Sequence, residues 1–161
     1  LKTNASTFLT FNPIELLLHP YNNPWDDTYR RQYFWEYLYK SAFFGEFHFG
    51  AERAYLASCM LLFSFFVCVI AALGVWKILR TECMACLPLL LLFFWTFALH
   101  IAFRLEYPYG SSQDFRYSLI AIPALAYFIA MGIGSLKNPL LQRCATITLE
   151  LTLALCIVVI A

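Results

Sequence analysis

The sequence predicts an all-α, multi-span helical membrane protein, and three observations carry that prediction. Hydrophobic residues fill 61% of the 161 positions and charged residues only 13%, about half the charged share of an ordinary soluble domain. The apolar residues fall into four long runs with short polar segments between them. Each run approaches the roughly 20 residues that carry an α-helix across a hydrocarbon core of about 30 Å. A soluble globule of this length still leaves about a third of its unfolded surface in water, so lipid is the fitting solvent. With a net charge of +1 there is no clustered basic face for phosphate backbones, which excludes nucleic acid as a partner. The chain begins at Leu1 and ends at Ala161 inside an apolar run, as an excerpt from a longer protein would.

Residues 1–53 lack the basic start, apolar core and small-residue cleavage site of a signal peptide, and they read as mature structure. His19-Pro20-Tyr21-Asn22-Asn23-Pro24-Trp25 has the Pro and Asn content of an ordered turn. The stretch after it is dense in Tyr, Phe and Trp, with Glu36 and Lys40 at a helix-supporting i, i+4 spacing. It predicts an amphipathic helix over about 27–44, ended by Gly45. Aromatic residues gather where lipid meets water, so this helix is expected to lie along the membrane interface.

The four spans are expected at about 55–76, 84–103, 117–136 and 145–161. Pro88 falls in the first turns of the second span, where a missing N–H costs least. Pro123 lies near the start of the third, and Gly132, Gly134 and Ser135 near its end are small enough for a neighbouring helix to approach closely. Glu150 is the one charge in the fourth run. Facing lipid would be costly, so it is expected to pack against other helices or to sit near the span's start. Lys77, Arg80, Lys137 and Arg143 flank the first and third connections, against Arg104 and Arg116 in the second. An excess of Lys and Arg marks the cytoplasmic side, which puts 1–53 and 104–116 outside, in a bacterial inner membrane or the endoplasmic reticulum.

All six cysteines lie within or at the inner ends of spans, so no extracellular disulfide framework is implied. Cys83-Met84-Ala85-Cys86 has C-x-x-C spacing but lacks the second pair or His partner of a metal site, and no metal site is read. Asn4-Ala5-Ser6 is a formal N-glycosylation triplet.

The residues that point to chemistry gather at the outer side. Asp114, Arg116 and Tyr117 open the third span. Arg offers a planar fork of donors suited to phosphate, and a helix N-terminus adds oriented N–H groups. Together they describe an anion site at the depth of a lipid phosphate. The plainer reading is an Arg116 that snorkels to headgroups while Asp114 caps the helix. His100 and Arg104 are one turn apart near the outer end of the second span and share a face; a hydrogen-bonded packing role for His100 is the alternative to function. Lys40, Glu46, His48, Glu52 and Arg53 form a polar stretch able to anchor at the interface or meet a headgroup or sugar.

Where Asp114-Phe115-Arg116-Tyr117 opens a span running to Pro123-Ala124-Leu125, the chain resembles polyprenyl-phosphate-sugar-dependent glycosyltransferases of the GT-C fold, in the bacterial aminoarabinose and mannosyl transferase-like groups. The run from Phe34-Trp35-Glu36-Tyr37 to Gly45-Glu46-Phe47 looks like the outer juxtamembrane segment of that family, and the similarity covers most of residues 10–136. The resemblance implies a many-span enzyme that takes a sugar from a polyprenyl phosphate and moves it to a lipid or glycan acceptor at the outer face. The family's acidic catalytic residue lies in a first outer loop with no counterpart here, so no catalytic base is assigned to Asp26, Asp27 or Asp114. By the same resemblance, Arg116, with Arg104 or Lys40, or a divalent metal ion, would steady the departing lipid phosphate. Two rival classes are a non-enzymatic membrane subunit or scaffold that docks partner subunits, and a transporter fragment with Arg116 and His100 in its pathway.

Overall fold

A computed structural model describes residues 4–23, 30–81 and 83–160. It is an all-α, multi-pass membrane protein with four helices long and apolar enough to cross a bilayer. The N-terminal segment forms α1 (Ala5–Leu9), α2 (Pro13–Leu18) and α3 (Phe34–Phe44). The first two carry strong start signals: Asn4 caps α1 in a capping box with Thr7, and Asn12 caps α2 just ahead of Pro13. The Asn4 side chain of the glycosylation triplet is thus engaged as a cap. Of the expected 27–44 helix, residues 27–29 lie outside the described residues and 30–33 form a turn, so helix begins at Phe34. Arg30 adopts φ 63°, a left-handed conformation that breaks helical continuation. Gly45, at φ 60° with its N–H bonded to the Ser41 carbonyl, ends α3 as the sequence anticipates.

Seven side chains of α3 are buried, including Glu36 and Lys40, while Trp35, Tyr39, Ala42 and Phe43 along one stripe stay half-buried or exposed. Trp35 Nε1 donates to the Phe8 carbonyl at 2.9 Å, and the Phe115 N–H donates to Ser41 Oγ at 2.8 Å. These bonds tie α3 to α1 on one side and to the entry of the third span on the other.

The spans are α4 (Ala54–Thr81), α5 (Cys83–Glu106), a 3-10 stretch (Phe115–Ala121) continued by α6 (Ile122–Ile133), and α7 (Pro139–Ile160). The first two overrun their expected bounds and leave almost no connection between them, because Lys77, Leu79 and Arg80 are good helix formers that extend α4 past the apolar run. Thr81 Oγ1 bonds back to the Lys77 carbonyl at 2.9 Å, and Arg80 stacks on the Trp76 ring. The third span starts as a 3-10 helix because Pro123 has no N–H to give the Leu119 carbonyl, which accepts from Ile122 instead. At about 2.0 Å rise per residue, those seven residues with the 12 of α6 still cover about 32 Å. The fourth span starts six residues before 145: Asn138 Oδ1 accepts from the Leu140 N–H at 2.8 Å, and Pro139 occupies the first turn. Glu150 is thereby the twelfth residue of the helix and is exposed on the bundle surface, so neither expectation for it, packing against other helices or a place near the span's start, is met.

The bundle centres on α4, which packs most extensively against α6 and α7. Gly74 and Gly132 make the α4–α6 contact possible: a Cβ on Gly74 would lie 1.8 Å from the Phe128 carbonyl oxygen, and one on Gly132 1.9 Å from that of Ile70. Of the small residues expected to permit close approach, Gly132 does so, while Gly134 meets only its own helix. Ile78, Cys86, Leu90, Ala124 and Phe128 fill the core at this level. Near α3, a second core joins Leu16, Tyr21, Phe44, Met60, Leu61 and Val159. There Arg53 Nη1 donates to the Val159 carbonyl at 3.1 Å. All six cysteines are free.

Candidate functional site at the α3 end of the bundle

Residues 30–53 and 104–118 meet at one end of the bundle, and the charged residues there sort into three clusters. The first surrounds Glu36, fully buried. Arg30 grips it bidentately, Nε to Oε2 at 2.6 Å and Nη2 to Oε1 at 2.8 Å, and the Asn12 N–H adds a third bond at 2.9 Å. Lys40, one turn along and 1% exposed, feels the same carboxylate. Burial nevertheless dominates and pushes its ammonium down to about 8.

The second cluster lies at the rim. Asp114 Oδ1 accepts from the Arg116 N–H at 2.9 Å and so caps the 3-10 stretch, the plainer of the two roles read for it. Arg116 is 53% exposed, with Glu46 at 3.5 Å and Asp114 at 3.8 Å. Its guanidinium also lies over the Tyr117 ring. The Tyr37 hydroxyl donates to Glu46 at 3.2 Å. Burial and the Glu46 charge push that phenol up, so it stays protonated. Arg116 is therefore half neutralised by its own neighbours.

The third cluster is built on α5. His100 Nδ1 lies 2.7 Å from Ser118 Oγ, and Nε2 lies 3.0 Å from the Ser112 carbonyl. A carbonyl only accepts, so Nε2 carries the proton and Nδ1 accepts from the serine hydroxyl. Both ring nitrogens are thereby spent on holding the loop and the 3-10 stretch against α5, the packing role weighed from sequence. Arg104, one turn on, is fully buried. Its Nε donates to Gln113 Oε1 at 3.2 Å, and Gln113 in turn donates to the Arg31 carbonyl. Arg104 Nη1 and Nη2 have no hydrogen-bond partner among the described residues. A buried guanidinium with two orphan nitrogens is costly and calls for an acceptor.

Beside this cluster a groove of about 670 Å³ follows α5 and the 3-10 stretch, lined by Pro88, Leu92, Trp95, Leu99, Phe103 and Tyr117, with Thr96 and His100 as its polar members. From Pro88 to Phe103 it extends about 22 Å at helical rise, most of a bilayer core. Tyr117 closes its end, edge-on to His100 and packed against Phe103 at 5.0 Å between centroids.

The structure thus brings His100 and Tyr117 into the groove lining, keeps Arg104 one turn beyond His100 and fully buried, sets Arg116 and Asp114 at the rim, and places Lys40 in the Glu36 cluster. Sequence reasoning missed Ser112, Gln113 and Ser118 as partners of the α5 pair, since small polar residues in a loop carry no spacing signal. Asp26 and Asp27 lie outside the described residues. Among the described residues no three His, Cys, Asp or Glu side chains gather as metal ligands. Comparison of the chain with protein-family models, curated proteins and solved structures finds no match.

Proposed function

We propose that this chain is part of a membrane glycosyltransferase that moves a sugar from a polyprenyl-phosphate donor to a lipid or glycan acceptor at the outer membrane face, and that this segment holds the donor lipid. The observations that carry the reading are an apolar groove of about 22 Å along α5 and, one helical turn beyond the His100 of its lining, a buried Arg104 with two unpaired nitrogens. An apolar groove covering most of the bilayer core suits a polyprenyl chain. The Arg104 guanidinium, one turn beyond His100, would supply two parallel donors to a phosphate, worth more in a dry site than in water. His100, fixed in its tautomer, orients the loop that carries Gln113, and Gln113 holds the Arg104 plane. Arg116 adds positive charge at the entrance, reduced by Glu46 and Asp114. The sugar-transfer part rests on the resemblance carried by Asp114-Phe115-Arg116-Tyr117 and the Phe34–Phe47 run. The outer placement of this end rests on Lys77, Arg80, Lys137 and Arg143 at the opposite end of the bundle.

The test is binding of a polyprenyl phosphate and of the matching uncharged polyprenol to the purified chain in vesicles, read through the fluorescence of Trp95 on the groove wall. Arg104→Gln is expected to weaken the phosphate lipid by about tenfold to a hundredfold, the worth of hydrogen bonds to a charged group, and to leave the alcohol unchanged. Equal binding of both lipids to wild type, or equal loss of both in the variant, refutes the donor-site reading. A sugar-transfer assay on the same membranes separates an enzyme from a lipid-binding subunit, which would bind without transfer.

A further inference from the structure

Arg104 has two nitrogens without a partner, yet it is fully buried, so a phosphate reaches it only if something moves. The groove lining includes His100 and Phe103 but not Arg104. The segment 107–114 folds back on this end of α5 and also touches α3. Within it, Ser112, Gln113 and Asp114 are buried along with Arg104. Gln113 Oε1 accepts from Arg104 Nε at 3.2 Å, while its amide nitrogen donates to the Arg31 carbonyl. One side chain thus bridges α5 and the turn before α3. His100 Nε2 adds a second tie, to the Ser112 carbonyl at 3.0 Å.

These ties are polar, and so are the side chains the segment buries; its Tyr107 and Tyr109 are exposed. A stretch held by hydrogen bonds with few buried apolar contacts opens at lower cost than the packed helices around it. Its two ends are fixed. The Tyr107 N–H bonds to the Phe103 carbonyl at 2.9 Å, and the Phe115 N–H to Ser41 Oγ at 2.8 Å. We infer that residues 107–114 are a lid over Arg104, latched by Gln113 and pinned by His100, which lifts to admit the donor's phosphate and closes over it. The lid rests on the donor-lipid reading and supplies the route from the groove to a side chain that the groove does not line. Latch and ligand are compatible, because Gln113 engages only Nε and leaves Nη1 and Nη2 to the phosphate. Closure then returns the guanidinium to a dry site, where its bonds to phosphate are strongest.

The test mixes geranylgeranyl phosphate with the whole chain in micelles and reads association and dissociation rates from Trp95 fluorescence. Gln113→Met keeps the length of the side chain and removes both of its hydrogen bonds. Entry and exit both pass through the open lid, so the variant is expected to raise both rates by about tenfold, the worth of a hydrogen bond to a charged group. A Gln113 that only steadies the bound lipid would raise dissociation alone, as most changes at a binding site do. A second measurement places spin labels through Tyr55→Cys and Tyr109→Cys, both at exposed positions, in a chain whose six native cysteines are replaced. The lipid-free chain is expected to show two distances, the second removed by geranylgeranyl phosphate and enlarged by Gln113→Met. An unchanged association rate in a variant of matched helix content, or one distance that neither lipid nor variant alters, overturns the lid and leaves the donor site standing. A wild-type chain that binds geranylgeranyl phosphate no better than geranylgeraniol overturns the donor site and the lid with it.

Discussion

Gly132→Ala is the most searching perturbation of the fold, because one methyl group tests whether α4 and α6 meet backbone to backbone. The added Cβ would lie 1.9 Å from the Ile70 carbonyl oxygen and 3.0 Å from Ile70 Cγ2. A carbon–oxygen contact tolerates about 3.3 Å, so the helices must part locally by about 1.4 Å. A radial gap of 0.5–1 Å already forfeits about a quarter to a half of each dispersion contact, and in lipid packing is the main force between helices. Ala71, Ile78, Ala124 and Phe128 all lie in the affected core. The expected cost is about 3 kcal/mol, the upper end of overpacking, measured by reversible unfolding in mixed micelles as the fraction of dodecyl sulfate rises. Gly74→Ala, with its Cβ 1.8 Å from the Phe128 carbonyl oxygen, is expected to cost as much. The double variant should cost less than the sum, since the first methyl has already opened the gap the second needs. Stability within about 0.5 kcal/mol of wild type for both single variants would refute the close approach.

Two further outcomes follow from the α3 region. Because burial lowers Lys40 to about 8 from an ordinary 10.5, the unfolded chain binds more protons than the folded one between those values, and stability should rise with pH across that window and be flat below it. Unfolding of wild type and Lys40→Met from pH 7 to 10.5 checks this, with a slope in wild type that the variant lacks; parallel curves would place Lys40 in water. Glu36→Ala removes the acceptor of Arg30 and of the Asn12 N–H and leaves both without their buried carboxylate, at an expected cost of about 3 kcal/mol. Arg30 is itself about a quarter exposed, which moderates the loss, and Glu36→Gln should recover part of it by keeping the Asn12 bond. An unfolding midpoint unchanged in Glu36→Ala would show that the cluster carries no net stability.

The α5 site shows where local signals stop. His100 and Arg104 are legible as a pair because i, i+4 spacing fixes a shared helix face whatever surrounds them. That Arg104 ends fully buried with two unpaired nitrogens is invisible in the sequence, since it depends on where Gln113, Ser112 and Ser118 are carried by a loop and a 3-10 stretch. Arg116 stands out in the sequence as the stronger phosphate ligand, yet Glu46, 70 positions away, and its own neighbour Asp114 occupy it.

What the sequence determined by itself is the solvent and the number of crossings. Composition and run length answer to the thickness and dielectric of the bilayer, and these act on each segment separately. Breakers likewise act locally, so Gly45 ends α3 where the sequence expects it and Pro123 lies at the start of the third span's α-helical part, whereas the starts at Asn12-Pro13 and Asn138-Pro139 escape a reading by apolar runs. Tertiary structure alone decided the fate of the charges. Glu36 and Lys40 read as a helix-supporting i, i+4 pair, and only the tertiary structure buries both. Glu150 reads as inward-facing or near the span's start until the early start of α7 and its seam on α4 leave it exposed. A charge in a low-dielectric place is stabilised only by what stands across from it, and the partner's position is set by packing between segments distant in the chain.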